Sequence, residues 1–63
     1  MTELERMYQN MADTLEQGMI DLEKFEEGNM SAGTRVRKNM QTIKDLAQKV
    51  RVTVQEQKNA IAN

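Results

Sequence analysis

The side chains that ordinarily perform catalysis are scarce in this sequence. It has no histidine and no cysteine, and its one serine is Ser31. That removes the nucleophile–base pairs of acyl transfer and the usual zinc ligands, and leaves acid–base work to carboxylates. The densest carboxylates, Asp21, Glu23, Glu26 and Glu27, point in several directions once wound on a helix. Such an arrangement suits a solvated face better than a metal site. Gly28 and Gly33 have the spacing of a phosphate-binding loop, but no lysine follows and no strand precedes, so the motif is incomplete. We expect no enzyme, no cofactor, no metal and no small-molecule substrate.

The cations are more informative. Arg37, Lys44, Arg51 and Lys58 recur every seven residues with Gln41, Gln48 and Gln55 between them. On a helix this makes one stripe of ~32 Å, at ~1.5 Å per residue. Cations alternating with amides can follow a phosphate backbone. The same stripe can instead pair with a facing helix, Glu26 with Arg37 and Glu5 with Lys58, each pair contributing about 0.2–1 kcal/mol. Arg35, Lys38 and Lys49 are expected on the outer side of the second helix, with no partner on the first. Arg35, Arg37 and Lys38 also fall in the first turns of that helix, where free amides and the helix dipole favour an anion. With Asn29, Ser31 and Thr34 nearby, this is the strongest candidate phosphate site. The DNA-contacting set is thus Arg35, Arg37, Lys38, Lys44, Lys49, Arg51 and Lys58.

Helices must carry these residues. Thr2 and Glu5 have the spacing of a capping box. Apolar positions then run Leu4, Tyr8, Met11, Leu15, Gly18, Leu22, Phe25, in steps of four and three, the seam of a helix. Gly28 can take the left-handed conformation that ends a helix, and Asn29 can cap the next. A second seam follows through Gly33, Val36, Met40, Ile43, Ala47, Val50, Val54, Gln57 and Ile61. The segment Val50–Val54 alternates like a strand, but no second strand is available to pair with it. The fold expected is all-α: a two-helix antiparallel hairpin with helix one over about 3–27, a turn at 28–29 and helix two over about 30–60. With the turn centred on Asn29, facing residue numbers sum to 58. Phe25 then meets Gly33, Leu22 meets Val36, Gly18 meets Met40 and Leu15 meets Ile43. Large side chains face small ones in several layers, as interdigitating helices require.

Sixty-three residues allow one small domain, which buries only ~60% of its unfolded surface. With disulfide and zinc unavailable, association is the remaining way to stabilise it. Met7, Met19, Ile20, Leu46 and Val52 fall beside or away from the seam. Packing two hairpins as a homodimeric four-helix bundle would bury several of them.

Residues 1–28 carry eight acids and two bases, a charge of −6, and residues 29–63 carry two acids and seven bases, +5, which sum to the net −1. Halves of opposite sign suit internal pairing and also a polyanion partner. The acidic start Met1-Thr2-Glu3 lacks a secretory signal, and no stretch approaches the roughly 20 apolar residues of a membrane span. We expect a cytoplasmic protein with no membrane role.

The run Glu26–Lys38, with its Gly28-Asn29 turn and Gly33-Thr34-Arg35-x-Arg37-Lys38, and its continuation Met40–Arg51, resemble the bacterial linker-histone-like proteins of the chlamydial type and their short relatives in bacteroidetes. The resemblance covers roughly residues 21 to 59, with helix one matching in pattern only. It implies a nucleoid-associated protein that binds double-stranded DNA, a helical module and self-association, with Arg35, Arg37 and Lys38 among the conspicuous basic positions. Chlamydial members carry a long Lys/Ala-rich tail that this sequence does not show, and a chain of net charge −1 is expected to bind DNA weakly unless oligomerisation gathers its basic helices on one surface. Two functions follow as expectations. One is an architectural protein on the duplex backbone with little sequence specificity. The other is a helical self-association or protein-interaction module with no nucleic-acid role.

Overall fold

A computed structural model describes residues 1–62. Two helices, α1 (Glu3–Glu26) and α2 (Met30–Ala62), pack against each other as an antiparallel hairpin measuring 54 × 19 × 10 Å. The ends of α1 are written in the sequence. Thr2 is extended, its hydroxyl accepts from the Glu5 amide at 3.1 Å, and its own amide donates to Glu5 Oε1 at 2.9 Å. This reciprocal cap satisfies two amides that the helix cannot. The bond from the Thr2 amide, then that with its hydroxyl, holds the Glu5 carboxyl below its ordinary pKa.

At the other end, Gly28 takes φ 105°, a conformation that L side chains rarely adopt. Gly28 N donates to Phe25 O at 2.9 Å and Asn29 N to Lys24 O at 3.0 Å, the paired bonds that close a helix with a left-handed residue. Asn29 then starts α2, its side-chain oxygen accepting from Ala32 N at 3.2 Å. Three residues, Glu27 to Asn29, therefore reverse the chain.

The line of contact differs from the seam expected above. On α1 it runs through Leu4, Met7, Met11, Thr14, Gly18 and Asp21, all buried or half-buried. On α2 it runs through Ala32, Val36, Asn39, Ile43, Leu46, Val50 and Thr53. Tyr8, Leu15, Leu22, Met40 and Val54, placed in the seam by the heptad reading, are exposed, Tyr8 by 66% and Leu15 by 48%. Met7 and Leu46, placed beside it, take part in it. Both helices are thus rotated about their axes by roughly half the angle between neighbouring residues, in the same sense.

The axial register agrees with the expectation. Phe25 lies on Gly33, where an added Cβ would stand 2.7 Å from the ring. Gly18 meets Asn39 instead of Met40. Small residues explain the choice of line: Gly18, Ala32 and Gly33 let the backbones approach, and the bulky side chains are left on one flank. Among the described residues, the buried hydrophobic core consists of Ala32 and Val50.

Candidate nucleic-acid interface

All seven bases of the C-terminal half lie on α2, and all seven are exposed. Taking roughly 100° per residue, Arg37, Lys44, Arg51 and Lys58 stand about 130° round the helix from the line of contact, so they face outward. Gln41, Gln48 and Gln55 occupy the strip directly opposite α1. Two of these glutamines bond along their own helix, Gln41 Nε2 to Asp45 Oδ1 at 3.1 Å and Gln55 Nε2 to Asn59 Oδ1 at 3.0 Å. The row of cations also borders apolar surface. Arg37 edges a groove with Leu22, Phe25 and Val36, and Arg51 edges one with Tyr8, Met11 and Ala47.

The ion pairs expected along this row do not form. Among the described residues, the one salt bridge joins Arg35 Nε to Asp21 Oδ1 at 2.7 Å. Neither Arg37 nor Lys58 forms a salt bridge among the described residues, and Glu5 is engaged by Thr2. Arg35 corrects a second expectation. It stands on the flank of α2 next to α1 and has a partner there, with 46% of its side chain and 24% of that of Asp21 exposed. Sequence reasoning missed this pair because it assigned Asp21 to a solvated acidic face.

The proposed anion pocket at the start of α2 is therefore not assembled as a unit. Arg35 is tied back to α1 and Asn29 caps the helix, while Arg37 and Lys38 project on different sides. No three metal-binding side chains converge among the described residues, the Asp21–Glu27 acids included. No helix is long and apolar enough to cross a membrane.

The arrangement is a charge-segregated hairpin, with acids on α1 and an outward cationic and amide surface on α2. Residues 5–60 match the family model described as histone H1-like protein Hc1. The match takes in most of α1 as well as α2, beyond the span 21–59 on which the resemblance rested. No curated protein and no solved structure gives a match.

Proposed function

The chain belongs to the histone H1-like Hc1 family, and from that premise we propose that it is a small architectural protein of the nucleoid that binds the duplex backbone through α2. A histone-like family implies a DNA partner, and the residues say how one would be met. The observation that carries the reading is the state of the α2 bases. Of the seven, only Arg35 is held in a salt bridge among the described residues, and Arg37, Lys38, Lys44, Lys49, Arg51 and Lys58 stand exposed.

Four cations spaced ~10.5 Å apart on a straight rod extend over nearly one turn of B-DNA, and each neutralised phosphate releases counterions. Arginine and lysine set against phosphate oxygens fix position without reading bases, so sequence preference is weak. The site of action is the cytoplasmic nucleoid.

A gel-shift titration against duplex DNA at two salt concentrations tests this. With about four phosphate contacts, affinity falls roughly 100-fold between 50 and 200 mM salt. Absence of any shift at low salt and micromolar protein removes the reading. The second reading, a helical interaction module without nucleic acid, is favoured by the exposed apolar flank through Tyr8, Leu15 and Met40. It predicts that DNA leaves every signal of the protein unchanged.

A further inference from the structure

At the turn end of the hairpin the helices leave a groove of about 340 Å³ between Leu22 and Phe25 of α1 and Met30, Val36 and Arg37 of α2. Gly33 shapes it. Without a side chain there, the Phe25 ring settles onto the α2 backbone by one edge, and an added Cβ would stand 2.7 Å from its Cδ1 and 2.8 Å from its Cε1. The remaining surface of these side chains is not absorbed into a core. Phe25 is 42% exposed, Leu22 36% and Met30 75%. Ligand sites of about 300–1,000 Å³ combine an apolar lining with a few polar groups that fix orientation. Here those groups are the Thr34 hydroxyl and the Arg37 guanidinium, and Arg37 forms no salt bridge among the described residues.

We propose that this groove takes an unpaired nucleobase, stacked against Phe25 and Met30, while Arg37 holds a phosphate of the same strand. The protein then prefers DNA with an unpaired end or gap over a fully paired duplex. The inference rests on the DNA reading of α2 for the identity of its partner.

Three features select that occupant. The first is the lining. An aromatic ring beside a polarisable thioether is a platform for the flat face of a base, and such stacking tolerates any base. The second is charge. Arg37 is the first member of the row that continues through Lys44, Arg51 and Lys58. An apolar acid or a single peptide carboxylate brings one anion to the rim and leaves that row unused. A nucleotide strand brings phosphates for the row together with the base. The third is position. The groove lies at the end of the row nearest the turn, so a strand following the cations meets it where it leaves them. A paired base cannot enter, because its faces are covered within the stack and unpairing must come first.

Fluorescence anisotropy of the full chain with three labelled ligands tests this. They are a blunt duplex, the same duplex with a short thymidine overhang, and that overhang built from abasic nucleotides, which keep the phosphates and lack the bases. The thymidine overhang should bind at least roughly 5-fold tighter than its abasic counterpart, the low end of what stacking one base contributes. Equal affinity for the two overhangs overturns the proposal and leaves the duplex reading intact. Phe25→Leu keeps an apolar side chain on Gly33 and should abolish the preference with affinity for the blunt duplex unchanged. Because Phe25 packs between the helices, Met30→Ser repeats the test at a side chain that is 75% exposed, and should reduce the preference. A preference kept in full by both variants places the base elsewhere and overturns the proposal.

Single-stranded oligothymidylate gives a readout independent of the duplex. It should shift the NMR signals of the Phe25 ring and the Met30 methyl. Those shifts without any binding of the blunt duplex would remove the duplex reading and keep the groove. Signals unmoved by oligothymidylate overturn the proposal, and if they move with protein concentration instead, the occupant is a second copy of the chain.

Discussion

Asn39 donates its side-chain amide to the backbone carbonyl of Thr14 at 2.7 Å and lies against the bare Cα of Gly18. The contact crosses the middle of the hairpin, where both helices carry polar or small residues instead of bulky ones. A half-buried amide satisfied by one particular carbonyl fixes register, because sliding the helices would leave it unpaired.

Gly18→Ala should therefore destabilise the hairpin, although alanine is the better helix former by about 1 kcal/mol. A Cβ at position 18 would stand 2.6 Å from Asn39 Cγ and 3.0 Å from its Nδ2. Overpacking of this kind costs about 1–3 kcal/mol, and Asn39 can yield only by giving up its bond to Thr14. The net loss is about 1 kcal/mol, read as a lower urea midpoint. Adding Asn39→Ala should return part of it. A raised midpoint for Gly18→Ala alone would show that the helices do not approach there.

The cap of α1 makes a pH prediction. Glu5 has its carboxyl pKa lowered by the bond from the Thr2 amide and then by that with its hydroxyl. A depressed carboxyl contributes stability that is complete above its ordinary value and is lost as pH falls through the lowered one. The first turn of α1 should fray in acid, with the Thr2 and Glu5 amides losing protection by NMR relative to their intrinsic exchange rates at that pH. Glu5→Gln, which keeps an acceptor but cannot titrate, should remove that pH dependence. Protection factors that are alike at neutral and acid pH would contradict the cap.

What the sequence made legible were the devices that act locally. The Thr2–Glu5 cap, the left-handed Gly28 and the Asn29 start of α2 each depend on residues within a few positions of one another. The seam was not legible to the same degree, because each helix carries a wide apolar arc with two possible stripes sharing one edge. Leu4, Met11 and Gly18 belong to both. Adding Tyr8, Leu15 and Leu22 gives the more apolar stripe, while adding Met7, Thr14 and Asp21 gives the one in contact. The deciding factors, a close approach at Gly18 and the Asp21–Arg35 pair, lie between helices and have no signature in spacing. The cationic row was readable as a row, but which of its members had a partner was not.

The two kinds of arginine should separate in experiment. Arg35 is bonded to Asp21, so Arg35→Ala should cost up to about 1 kcal/mol, the pair being partly exposed. Arg37 has no such bond, and Arg37→Ala should leave the urea midpoint nearly unchanged. On duplex DNA the order reverses. Removing Arg37, Lys44 and Arg51 together should flatten the slope of log affinity against log salt by about 3, roughly one for each cation. A slope unchanged by the triple variant would assign DNA binding to some other surface.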